Sequence, residues 1–119
     1  MVCISSNGII QMRRGDTWTL NLKLDLGTKM YPRPYTLQEG EYLYFGVMEA
    51  NTAFKDALIC KKLSKDDLID GTENEYKLEF VTKDTECVLP GTYFYETKLL
   101  RSGDRIDTVI PKTKFILLD

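Results

Sequence analysis

Apolar residues along this chain recur with a period of two rather than 3.6, the spacing of half-buried strands rather than of amphipathic helices. Residues 17–24 show it best. Trp18, Leu20, Leu22 and Leu24 share one face, and Thr17, Thr19, Asn21 and Lys23 share the other. One apolar and one wet face suit an antiparallel sheet that packs on a second sheet. Trp18 lies on the apolar face with its strand neighbours and therefore reads as a core anchor rather than a ligand platform. Residues 75–81 repeat the pattern, with Tyr76, Leu78 and Phe80 inward. Further strands are predicted over 8–14, 42–49, 57–63, 93–100, 105–110 and 113–118. Ser102-Gly103-Asp104 forms a hairpin turn between two of them.

The stretch 42–49 differs from the others. Leu43, Phe45 and Val47 lie on one face, yet Tyr42, Tyr44 and Met48 make the opposite face apolar as well. A strand with two apolar faces is covered on both sides, so Tyr42, Tyr44 and Met48 are the candidate subunit interface. Residues 25–40 carry no period and connect two strands. Their Tyr31-Pro32-Arg33-Pro34-Tyr35 segment is held extended or turned, because each proline lacks an N–H and restrains the residue before it. Two readings stand side by side: a connection that crosses between sheets, or an exposed aromatic recognition loop presenting Tyr31 and Tyr35.

Leu89-Pro90-Gly91-Thr92-Tyr93 is a tight turn opening into a strand, with a Gly two residues before a Tyr. That spacing predicts a tyrosine corner, in which the Tyr93 phenol bonds back to the loop leading into the strand. Tyr95 falls where immunoglobulin domains place their second core cysteine. Ser64-Lys65-Asp66-Asp67 is predicted to make one helical turn capped by Ser64, and residues 82–86 another capped by Thr82. The expected fold is an all-β, immunoglobulin-like antiparallel β-sandwich of seven or eight strands, forming a single domain over residues 1–119.

Composition adds mainly exclusions. At 119 residues the chain buries about two thirds of its unfolded surface, enough for one core. Net charge is −2 with the signs mixed, and Arg13-Arg14 and Lys61-Lys62 are only pairs, so no basic track for nucleic acid is expected. No apolar run is long enough to span a bilayer. The N-terminal residues lack a secretory pattern, so either the protein stays where it is made, the reading Met1 favours, or a leader was removed before this numbering began. Cys3, Cys60 and Cys87 are odd in number and lack CxxC spacing, which argues against a disulfide framework or zinc site. Cys60, within Leu58-Ile59-Cys60, reads as a small core residue.

The chain contains no histidine. That removes the commonest general base and metal ligand, and every Ser-His or Cys-His nucleophile pair. Asp66, Asp67, Asp70, Gly71 and Glu73 lack the alternating oxygen pattern of a calcium loop and read as a solvated acidic loop. Asp104 and Asp107 flank a hairpin turn rather than a cleft. Arg14-Gly15-Asp16 is a turn tripeptide found by chance as readily as by function. No catalytic residue, cofactor or metal ligand is assigned, and the chain is expected not to be an enzyme.

Ile10-Gln11-Met12-Arg13-Arg14-Gly15-Asp16-Thr17-Trp18-Thr19-Leu20 resembles the opening of certain phage structural modules. Thr82-Lys83-Asp84-Thr85, then residues 89–96, then Ile106-Asp107-Thr108-Val109-Ile110 and Lys114-Phe115 follow in order. Together they resemble the N-terminal domain of phage baseplate upper proteins and related tail or fibre modules. The resemblance spans nearly the whole chain, and it is carried by order and spacing rather than by any one short motif. It implies a non-enzymatic virion component, made in the bacterial host cytoplasm. It also implies oligomerisation, often as a trimer, with other phage structural proteins as partners. Gly15, Asp16, Thr17, Gly91, Tyr93 and Tyr95 match as fold-forming positions. The alternative function is a carbohydrate- or receptor-binding sandwich.

Overall fold

The structure is a computed structural model, which describes the backbone of residues 3–4 and all atoms of residues 8–28 and 30–119. The described residues form eight strands: β1 (Cys3–Ile4), β2 (Ile10–Arg13), β3 (Trp18–Lys23), β4 (Tyr42–Met48), β5 (Ile59–Leu63), β6 (Glu75–Phe80), β7 (Gly91–Arg101) and β8 (Arg105–Leu118). Three single helical turns lie between them, at Phe54–Asp56, Lys65–Asp67 and Thr82–Thr85. The strands make a six-stranded sheet in the order β1-β2-β8-β7-β4-β5 and a two-stranded sheet of β3 and β6. This is an all-β sandwich. No helix among the described residues is long and apolar enough to cross a membrane.

The alternation read from the sequence holds in β3 and β6 because each has one covered face. Leu22, Tyr76, Leu78 and Phe80 of the small sheet face Phe45, Val47, Tyr93, Tyr95, Leu99, Phe115 and Leu117 of the large one, and all are buried. Aromatic rings bind the layers together. Phe80 stacks on Trp18 with centroids 4.8 Å apart and meets Phe45 edge-on at 5.8 Å, while Phe45 stacks on Tyr95 at 5.2 Å. Such pairs contribute about 0.5–1.5 kcal/mol each beyond the area they bury. Trp18 is half-buried against this core, with its indole N–H on the Met12 sulfur at 3.0 Å. The tyrosine corner is present: the Tyr93 hydroxyl donates to the Leu89 carbonyl. Tyr95 donates to the Gly8 carbonyl, tying β7 to the segment before β2.

Four local features depart from the sequence reading. The first is the β2–β8 pair, which is parallel, with Ile10 opposite Phe115 and Arg13 opposite Leu118. All the other pairs are antiparallel. A parallel neighbour is possible here because the whole of the chain between them serves as the connection.

Second, residues 105–118 are one strand, not two. The alternation predicts separate strands over 105–110 and 113–118. Instead the register slips between Tyr95 and Lys98, and the Ile110 N–H donates to the buried Thr97 hydroxyl at 3.0 Å. The eighth strand is β1, which the pattern did not show. Third, the turn Thr82–Thr85 is capped by Asp84, which accepts from the Val81 N–H at 2.7 Å; Thr82 instead donates to the Gly15 carbonyl. Fourth, Cys60 is exposed rather than in the core. Ile59 and Leu63 take the inward positions of β5, and Cys60 stands opposite Gly46 on the outer face.

Candidate functional site

The outer face of the large sheet carries an apolar groove of about 360 Å³, lined by Tyr44, Phe54, Ala57, Cys60, Leu100 and Ile106, with Lys55 and Lys98 at its rim. Strand register explains how it forms. Side chains alternate across a strand, so the partners of outward-facing residues also face outward. Tyr44 of β4 stands between Lys62 of β5 and Lys98 of β7. Tyr42 stands beside Leu100, and Leu100 beside Ile106 of β8. The result is a row of apolar side chains, with ammonium groups resting on the rings. Lys62 Nζ lies 4.0 Å from the Tyr42 ring centroid, and Lys98 Nζ lies 5.4 Å from that of Phe54. Partial burial against the groove floor pushes the Cys60 thiol pKa up.

Gly46 shapes one end of this groove. A Cβ at that position would lie 2.7 Å from the Phe54 ring, so only glycine lets the ring settle on the strand. The connection from β4 to β5 therefore folds back over the sheet, and the Leu58 N–H donates to the Val47 carbonyl at 2.7 Å. Here the sequence expectation needs correcting. Met48 is fully buried within the single chain and is not available to a partner. Tyr42 and Tyr44 remain half-exposed beside the groove. Ile106, in the groove lining, is 62% exposed.

Residues 25–40 do cross between the sheets, from β3 to β4. Their first half is a tight loop closed by an Asp25–Pro34 bridge and by a bond from the Leu26 N–H to the Arg33 carbonyl. Asp25 Oδ1 accepts from the N–H groups of Gly27 and Arg33 at 2.7 and 2.9 Å, and these bonds hold its pKa below the usual aspartate value. A Cβ on Gly27 would sit 2.1 Å from the Tyr31 carbonyl oxygen, so the loop can close only around glycine. Tyr31 stands at the tip, 74% exposed. Tyr35 does not join it. The Tyr35 hydroxyl turns inward and donates to the buried Glu41 carboxylate, 2.7 and 2.8 Å from its two oxygens. The structure thus separates the two tyrosines expected to share a recognition loop.

Glu41 anchors a charged network at this end of the sandwich. Burial pushes its pKa up, but bonds from Tyr35 and from the N–H groups of Gln38 and Ser102, with the nearby Arg101 charge, outweigh burial and lower it. The Tyr35 pKa rises, first through burial and then through the adjacent carboxylate. Arg101 lies 5.6 Å from the Tyr35 ring centroid and bonds through Nε to Asp107 Oδ2 at 2.9 Å. Arg105 approaches the same oxygen only to 3.7 Å. Arg101, Arg105 and Asp107 line a second opening of about 460 Å³ with Asp25, Gly27, Arg33 and Thr108. Sequence reading missed this cluster, because its arginines come from three separate segments and share no motif.

The other candidates have structural partners. Asp67 Oδ2 accepts from the Ser64 N–H, and the Ser64 hydroxyl from the Asp66 N–H, closing the predicted helical turn. Gly15 is held by the hydroxyls of Thr82 and Thr85, and Arg14 pairs with Asp119 at 2.7 Å, so the Arg14-Gly15-Asp16 turn is fastened to the body. Among the described residues no group of three or more His, Cys, Asp or Glu side chains could hold a metal ion. Comparison with protein-family models, with curated proteins and with solved structures finds no match for this chain.

Proposed function

We propose that this protein is a non-enzymatic structural module of a phage particle, a sandwich that joins baseplate, tail or fibre through protein–protein contacts. Two lines support this reading. One is the ordered sequence resemblance to baseplate upper proteins. The other is the apolar groove beside Tyr44, which carries the argument from structure. Exposed Ile106 and half-exposed Tyr44 line one apolar groove, and surfaces of this kind mark interaction sites in soluble proteins. Aromatic anchors that fill grooves dominate binding energy at such contacts. The occupant in this reading is a neighbouring virion subunit or another copy of the chain. The carbohydrate-binding alternative is left with Tyr31 as its only exposed tyrosine in the 25–35 loop.

Mass spectrometry of purified particles, from the phage or induced prophage that encodes the chain, tests the proposal. Stoichiometric presence is the expected result. Absence from particles in which other virion proteins are detected would overturn it. Tyr44→Glu sharpens the site assignment: assembly is expected to weaken while the fold survives, and unchanged assembly removes Tyr44 from the interface.

A further inference from the structure

Beyond the last buried residue of β7, Leu99, the hairpin of β7 and β8 overhangs the core. Arg101 lies two residues past Leu99 on the same face, and its register partner is Arg105. Asp107, the partner of Leu99, completes a charged row that faces the loop closed by Asp25. The opening between hairpin and loop is polar and half open, unlike the enclosed apolar pockets that hold most drug-sized ligands. Its roughly 460 Å³ would nonetheless admit a small hydrated molecule.

The pairing within this opening is unequal. Asp107 Oδ2 accepts from both Nε and Nη2 of Arg101 and reaches Arg105 only loosely. The Oδ1 of Asp25 is spent on two backbone N–H groups of its own loop. Two guanidinium groups keep most of their donors unused. Arg105 has a 67% exposed side chain and only the 3.7 Å approach to Asp107. The Arg33 side chain makes no hydrogen bond or ion pair among the described residues. A free guanidinium presents donors in a planar fork that matches carboxylate and phosphate oxygens. Three arginines against two aspartates leave the lining with one net positive charge.

We propose that this cleft binds a small oxyanion, a carboxylate or phosphate carried by a low-molecular-weight ligand, with Arg33 and Arg105 as its two clamps. Arg101 is a positioning residue, held by Asp107 and by the Tyr35 ring, and it sets the wall against which the ligand lies. The site is independent of the apolar groove, which opens on the other face of the same hairpin.

Amide NMR titration of the whole chain with sodium phosphate, and separately with succinate, tests the proposal at constant ionic strength. Saturable shifts are expected at Gly27, Arg33, Arg105 and Thr108 with at least one of the two anions. The anion that saturates identifies the source of the oxyanion as phosphate or carboxylate. Arg33→Gln and Arg105→Gln should each weaken that binding about tenfold while the thermal midpoint holds, and Arg33→Lys should recover only part of it. Non-saturating shifts with both anions would overturn the proposal. So would saturable shifts that survive both Gln variants, or that map to Lys62 and Lys98 instead.

Discussion

The tip of the β7–β8 hairpin is inside out compared with the body of the same two strands. Between Tyr93 and Leu99 the inward face is buried and apolar apart from Thr97, while the outward face carries Glu96 and Lys98. Between Leu100 and Ile106 the order reverses. Leu100 and Ile106 face outward into the groove, while Arg101, Arg105 and Asp107 face inward into the cleft. A hairpin needed only for stability would keep its alternation or end with the core. The inversion therefore marks where the buried core ends and its packing stops dictating residue types. It gives the two openings opposite characters. One favours desolvating contact, and the other favours charge.

The largest test pushes the charged row one step inward. Leu99 is fully buried. Leu99→Arg places an unpaired charge in the core, and the expected loss is on the order of 3–5 kcal/mol, read by urea unfolding. If Leu99→Arg keeps a wild-type midpoint, the boundary between core and cleft has been drawn in the wrong place. Glu41 comes next. Its pKa is lowered in the fold, so the unfolded chain binds more protons, and the carboxylate stabilises the native state above the unfolded value. That contribution is lost as pH falls through the lowered native value. Wild type should therefore lose more stability between about pH 6 and about pH 3 than Glu41→Gln does, and parallel pH curves would remove Glu41 as an anchor.

Asp107→Ala strips the counter-charge from Arg101 and Arg105 at a partly exposed site. The expected cost is about 1 kcal/mol in the same unfolding assay, with stronger phosphate binding because one more fork is released. Weaker binding would show that Asp107 orients the cleft more than it neutralises it. The smallest expected effect is that of Leu100→Glu on the outer face. Stability should stay within about 0.5 kcal/mol, while contacts made through the groove are lost, as followed by particle incorporation. A large destabilisation would mean that Leu100 belongs to the core after all.

Much of the frame was legible because period two is a local signal. Trp18 to Leu24 and Tyr76 to Phe80 state their faces outright, and Pro90-Gly91 announces the corner that Tyr93 completes. The misses share one cause, that their outcome is set by a partner strand. Leu58-Ile59-Cys60 has no alternation, so only pairing with Gly46 decides that Cys60 faces out. Residues 105–118 read as two strands, and only the register shift opposite Tyr95 to Lys98 lets them run on as one. Met48 reads as a second apolar face, and the fold-back that places Phe54 on Gly46 shows that the chain supplies its own cover there. The groove was half legible through Tyr42 and Tyr44. The cleft was not, since residues 33, 101 and 105 meet only through the crossing loop and the overhanging hairpin.

The parallel β2–β8 pair has a mechanical consequence. Its strands run the same way from Ile10 opposite Phe115 to Arg13 opposite Leu118, so tension pulling residue 10 backward and residue 118 forward slides one strand along the other. Every hydrogen bond of the pair is then loaded at once, whereas a strand peeled from its end gives up its bonds one after another. The short antiparallel contact of β1 with β2, Cys3 to Gln11, would yield first and in sequence. Stretched along the line of its chain, the sandwich thus has a weak outer catch and a strong inner one.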